Sequence, residues 1–185
     1  MKYFRKIAVF LVITFIAAGL MAPLPSGAAG AGDIDKKADK ALKQLYARTP
    51  SAKVLGEKAK GILVFPEIVK GGFIVGGQYG EGVLLKNGRT VAYYNSVAMS
   101  YGLQAGAQKF GYALIFMTDS AMAWLDRSDG WEIGSGPSIV VIDEGKAGSL
   151  TTTTAQSDVY AFFFSQKGLM AGLGLQGTKV TKISK

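Results

Sequence analysis

Residues 69–82 read VKGGFIVGGQYGEG, six glycines in fourteen positions. Glycine at that density serves two kinds of chemistry. A glycine loop can wrap backbone N–H groups around a phosphate, provided a helix follows to supply the dipole and the free donors. Glycines can also let a strand bend or admit a neighbouring backbone at close range. The residues that follow decide between the two. Residues 80–96, GEGVLLKNGRTVAYYNS, hold Asn87-Gly88 between two apolar, β-prone runs. Asn-Gly is the favoured pair for a two-residue hairpin, because both positions need positive φ. Folding about it sets Lys86 opposite Arg89, Leu85 opposite Thr90 and Leu84 opposite Val91. It continues with Val83 opposite Ala92, Gly82 opposite Tyr93 and Glu81 opposite Tyr94, so that Tyr93 covers Gly82. The glycine run therefore leads into a strand. The Walker pattern is missing, and Gly77-Gln78-Tyr79-Gly80-Glu81-Gly82 approaches a dinucleotide fingerprint only loosely. No cofactor is expected.

Other catalytic chemistry is narrowed by what the chain lacks. It has no cysteine and no histidine. Cys/His zinc sites, thiol nucleophiles, Ser-His triads and imidazole acid–base catalysis are excluded. The carboxylates Glu67, Glu81, Asp119 and Asp143 are dispersed and show no catalytic spacing. The expectation is a protein with no catalytic residues and no metal, not an enzyme.

The first 29 residues read as a secretory signal peptide. Lys2, Arg5 and Lys6 precede an apolar run from Ile7 to Leu20, then Pro23, Pro25 and the small residues Ser26 to Ala29. Fourteen apolar residues fall short of the roughly twenty needed to span a bilayer. The chain carries 21 basic and 13 acidic residues, a formal charge of +8. Three of the basic residues lie in this segment, and the remainder still has a basic excess suited to an anionic partner.

Residues 30–57 form an amphipathic helical segment ahead of a β-rich core over 58–185. Ile34, Ala38, Ala41, Leu42 and Leu45 recur at spacings of three and four, one apolar helical face. Asp33 is the expected cap and Pro50 the expected stop. Lys36, Lys40 and Lys43 form a second stripe, with Lys37 beside it. Between residues 36 and 60 these are joined by Arg48, Lys53, Lys58 and Lys60, opposed only by Asp39 and Glu57. These eight cations are the candidate lipid-binding residues, suited to an anionic phospholipid surface. No aromatic stands among Lys36, Lys37, Lys40 and Lys43, so nucleic acid is not expected. A solvated basic face on a helix packed against the domain reads equally well.

The core reads as α+β, mostly β: a strongly curved antiparallel sheet or barrel-like body. Residues 101–117 and 167–183 also begin glycine-rich and end as strands. Ile62 to Phe65 reads as a short buried strand ended by Pro66. Thr118-Asp119 opens a short helix over 119–127, with Ala121, Met122 and Leu125 inward. Ser138–Ile142, Thr151–Thr154 and Val159–Phe164 read as further strands. Gly76, Gly77, Gly106 and Gly172 mark either room for a lipid inside the curved sheet or close backbone packing with no cavity.

Residues 58–85 (KAKGILVFPEIVKGGFIVGGQYGEGVLL) and 92–108 (AYYNSVAMSYGLQAGAQ) closely resemble the signature of the SYLF domain family. So do LIFMTDSA (114–121), GWEIG (130–134), the Thr151–Thr154 run and FFFSQKGLMAGLGLQGTKVTKI (162–183). Order and spacing match from about residue 33 onward. The resemblance implies a non-catalytic lipid-binding domain, associated in eukaryotic members with phosphoinositide membranes and actin. In bacterial members it implies a domain alone behind an export signal. Many bacterial relatives carry a lipoprotein cysteine; this chain does not, so surface binding falls to the helix. The expected place is the periplasm or cell envelope, peripheral to membrane. The alternative is an envelope adaptor that binds another protein through a sheet edge.

Overall fold

The computed structural model describes residues 30–72, 75–101, 106–142, 156–164 and 175–185. The signal-peptide reading of residues 1–29, the Thr151–Thr154 strand and Gly172 fall outside them. Ala31–Arg48 form helix α1, and Ile34, Ala38, Ala41 and Leu45 are its buried stripe. Gly30 is the N-cap and no side chain caps it. Asp33, expected as the cap, lies within the first turn, where its charge still suits the positive end of the dipole. The helix ends at Arg48, and Pro50 does more than stop it. Pro50 opens a second helix, α2 (Pro50–Lys58), where its fixed φ is already helical and its missing N–H would have had no partner.

Among the described residues eight strands make one sheet: β1 (Gly61–Gly72), β2 (Val75–Lys86), β3 (Arg89–Tyr101), β4 (Gly106–Phe116), β5 (Trp131–Glu132), β6 (Ile139–Ile142), β7 (Val159–Phe164) and β8 (Lys179–Ile183). Their order is β5-β8-β3-β2-β1-β4-β7-β6, and the sheet curls strongly into a half-barrel. The expected antiparallel pairing holds except between β6 and β7, which run parallel. Residues 143–158 separate these two strands, a connection long enough for a crossover. Between β4 and β5 lies the short helix expected near 119–127: α3 (Asp119–Met122) followed by a 3-10 turn at Ala123–Asp126. The Thr118 hydroxyl accepts the Ala121 N–H at 3.2 Å, and Ala121, Met122 and Leu125 face inward.

Both faces of the sheet are packed. On one, Ile62, Val64, Val83, Ala113 and Ile115 receive Ile34, Ala38, Leu45 and Leu55 from α1 and α2. On the other, Leu63, Phe65, Tyr112, Leu114 and Phe116 meet Met122, Leu125, Trp131 and Val180. Apolar residues therefore run consecutively through β1 and β4, as burial on two faces requires.

Two local expectations are corrected. The Asn87-Gly88 turn forms with both φ values positive, 51° and 73°, and Lys86–Arg89 and Leu85–Thr90 pair as expected. Beyond them Leu84 pairs with Ala92, because Val91 bulges out of β3. Every later partner moves by one, so Tyr94, not Tyr93, stands opposite Gly82. What comes close to Gly82 is β1: a Cβ there would strike the Val64 carbonyl and lie 2.6 Å from the Phe65 ring. Nor does Pro66 end its strand. β1 continues to Gly72, and the register shifts at Pro66 against both neighbours. A residue without an N–H is accommodated where the ladder skips. On the other side of this bulge Gly111 leaves room for the Pro66 carbonyl, 2.8 Å from where a Cβ would stand.

Buried phenols give the fold an alkaline limit. Burial pushes the Tyr94 hydroxyl up to about 12, aided by the nearby Asp126 carboxylate. Burial raises Tyr112 as well, against a lowering hydrogen bond from its hydroxyl to Ser96 Oγ at 2.8 Å. In an unfolded chain a tyrosine ionises near pH 10, so the unfolded form gives up these protons first. Stability is full below about pH 10 and declines as pH rises through about 12. Tyrosinate absorbance followed with circular dichroism should show a last group of phenols ionising only as the fold is lost. Ionisation of all eight tyrosines near pH 10 with the fold intact would contradict this.

Candidate membrane-facing surface

Successive residues turn by about 100° around an α-helix. With Ile34, Ala38, Ala41 and Leu45 against the sheet, Lys36, Lys40 and Lys43 fall on the opposite side of α1 and are exposed. Lys37 flanks them and is exposed; Arg48, at the end of α1, is exposed nearer the buried side. Lys53 and Lys58 are exposed on α2, and Lys60 is exposed just before β1. The fold thus collects all eight candidate cations on the helical layer and the residue that leaves it. Lys43 pairs with Asp39 at 2.7 Å and Lys60 with Asp119 at 3.6 Å, both solvent-exposed contacts worth little.

Asp35 fixes this layer to the sheet. Its carboxylate accepts the Thr90 hydroxyl at 2.9 Å and the Tyr93 hydroxyl at 3.0 Å. The phenol of Tyr93 is raised by burial and by this bond. The sequence signals only a helix-favouring charge near the N-terminus, and the bulge at Val91 is part of what sets Tyr93 on this face. Asp35→Ala should lower stability by about 1.5–3 kcal/mol, the range for hydrogen bonds to a charged group. Hydrogen exchange should show the loss concentrated in α1. A uniform loss across the sheet would contradict the clamp.

The carboxylates that could have done chemistry are held in structural contacts. Glu67 meets Lys109 at 3.4 Å. Glu81 meets Lys185 at 3.0 Å and accepts the Tyr79 hydroxyl at 2.9 Å. Asp119 opens α3 beside Lys60; Asp143 lies outside the described residues. Asp158 accepts from the Ser138 N–H at 3.1 Å and hydroxyl at 2.9 Å. These bonds, and one from Thr118, hold its carboxyl below the usual range. They pin the start of β6 to that of β7. Among the described residues no three His, Cys, Asp or Glu side chains gather to hold a metal.

The glycines proposed to leave space gather at the far end of β1, β2 and β4. Gly76 pairs with Gly72, which pairs with Gly106, and Gly77 lies on the next rung opposite Gly71. Gly77 is exposed, and a Cβ there would meet only the Ala98 carbonyl, 3.8 Å away. Beside these glycines the sheet face beyond α1 and α2 bears Val69, Tyr79, Val97 and Met99, all exposed. The sequence carried no sign of this, since alternation along a strand is the same whether or not a helix lies over it.

Among the described residues no helix is long and apolar enough to cross a membrane. Residues 97–185 match the family described as Ysc84: Las17-binding protein actin regulator, the SYLF family. A curated relative, beta cell expansion factor A of Aeromonas veronii, is 30% identical over 147 residues, 79% of this chain. The chain spans about half the length of that relative, 54%.

Proposed function

We propose, for a chain that belongs to the SYLF (Ysc84) family through residues 97–185, a non-catalytic lipid-binding function, exercised peripherally on anionic membrane in the cell envelope after export. The observation that carries it is the outward stripe of Lys36, Lys40 and Lys43, opposite the residues that α1 buries. Lys37 adjoins it, and Arg48, Lys53, Lys58 and Lys60 add exposed positive charge to the same helical layer and its exit. Each lysine near an anionic surface contributes about 1 kcal/mol, less as salt rises. Ile34 and Leu45 are committed to the sheet, so α1 binds as a charged ridge and does not insert its apolar face.

A second reading comes from the family description, which names a protein ligand, Las17. On that reading this chain is an adaptor for an envelope protein. Vesicle co-sedimentation separates the two. Residues 30–185 suit the test, since the described core runs from Ile34 to Val180. Lipid binding predicts sedimentation with phosphatidylglycerol-containing vesicles, none with phosphatidylcholine alone, and weaker sedimentation as salt rises. A folded chain that sediments with neither overturns it and leaves the adaptor.

A further inference from the structure

The basic ridge does not act alone on the side of the domain that it faces. Strand alternation puts Val69 of β1, Tyr79 of β2 and Val97 of β3 on the same face as Ile62, Val64 and Val83, which lie under α1 and α2. The helices cover that face toward the Asn87-Gly88 hairpin; toward the opposite strand ends its side chains are exposed, and no described helix lies over them. Val69, Tyr79 and Val97 are direct cross-strand partners, 43%, 50% and 40% exposed. The same rung continues to Lys109 on β4 and Lys179 on β8, both exposed. An apolar, aromatic centre thus has a lysine at each end. One rung further out Met99 is 68% exposed, and Val75 beyond it 53%. Glu67 and Glu81 lie on the rung behind, matched by Lys109 and Lys185.

We infer that this strip is a second membrane contact, inserted into the interfacial region of an anionic bilayer while α1 holds the head groups. The inference rests on the lipid-binding reading above and names how that surface engages. Exposed contiguous apolar side chains on a polar surface mark an interaction site. The chemistry chooses the partner: a tyrosine amid aliphatic residues, bounded by lysines, matches the layering of acyl chain, interface and anionic head group. The stripe of α1 and the strip point the same way from the sheet. The strip lies about one helix diameter, roughly 10 Å, below the crest of α1. A flat surface touching both therefore meets the domain tilted toward the ends of β1, β2 and β3 carrying Gly72, Val75 and Met99. Glycine and alanine neighbours on these rungs keep that end slim. Apolar insertion gives binding a part that salt does not screen.

The chain has no cysteine, so one introduced thiol reports one place. Val97→Cys, Met99→Cys and Ser128→Cys versions of residues 30–185, each carrying an environment-sensitive NBD dye, are mixed with phosphatidylglycerol/phosphatidylcholine vesicles. Ser128 is the control, exposed in the turn after the 3-10 segment. Dyes at 97 and 99 should brighten, shift to the blue and be quenched by bromine-labelled lipid, while the dye at 128 stays water-like. Unlabelled Val97→Ser/Met99→Ser should bind about tenfold more weakly, from lost apolar burial. Vesicle binding with all three dyes water-like overturns the strip and leaves the lipid-binding reading standing. No vesicle binding at all overturns both. Dyes at 97 and 99 that shift without lipid as protein concentration rises, with a larger sedimentation coefficient, assign the strip to a second copy of this chain and overturn its membrane role.

Discussion

Reversing Lys36, Lys37, Lys40 and Lys43 to glutamate is expected to abolish sedimentation with anionic vesicles while leaving the fold intact. Removing four cations that each contribute about 1 kcal/mol weakens binding about a thousandfold, and the reversed charges add repulsion. All four side chains are exposed, and substitutions at such sites change stability by about 0.5 kcal/mol or less. The lost Lys43–Asp39 contact is an exposed pair of small worth. An unchanged urea midpoint with lost binding therefore assigns the effect to the ridge. Binding as strong as that of the unaltered chain would move the membrane contact elsewhere, first to the strip around Tyr79.

Trp131→Ala is expected to have the opposite signature, a large loss of stability with no change at the charged surface. Trp131 is fully buried. Its ring lies 5.9 Å from that of Phe116 in a tilted arrangement, and its indole N–H donates to the Ser135 carbonyl at 2.8 Å. Truncating a core aromatic costs about 3–5 kcal/mol, and here a carbonyl loses its donor as well. Domains of this size are stable by about 5–15 kcal/mol. The urea midpoint should fall accordingly, and Trp131→Phe should recover part of the loss. A midpoint within experimental error of the unaltered chain would show that β5 and its neighbours are peripheral to the core.

The parts of this fold that were legible in the sequence are those fixed by local periodicity. The buried stripe of α1 follows from spacings of three and four, and the hairpin from an Asn-Gly pair whose positive φ values are demanded by the turn itself. Thr118 was readable as a cap because its hydroxyl bonds three residues ahead. The failures share another cause. Val91 is skipped in the ladder between β2 and β3, and nothing in Thr90-Val91-Ala92 announces it. Pro66 read as a terminator because it lacks an N–H, but a bulge meets that lack equally well. The parallel pairing of β6 with β7 and the clamp from Asp35 to Tyr93 link residues distant in sequence, where periodicity carries no information. The basic ridge was visible as composition, the apolar strip invisible, since only the length and placement of α1 and α2 determine which part of a sheet face stays bare.

The position of β8 sets the order in which this chain becomes safe. β3 pairs on one side with β2, its neighbour in sequence, and on the other with Lys179–Ile183. During synthesis β1, β2, β3 and β4 can all be paired long before residue 179 leaves the ribosome, while one edge of β3 stays open. That edge runs through Tyr93, Val97 and Met99, a β-prone segment with no charge between Thr90 and Tyr101, which is the kind of edge that recruits other chains. Closure by β8 covers Tyr93 to Val97, at the entropic cost of a loop spanning nearly half the chain. Loss of Lys179–Ile183 would therefore register as an unsealed edge, and the symptom to look for is aggregation rather than weakened ligand binding.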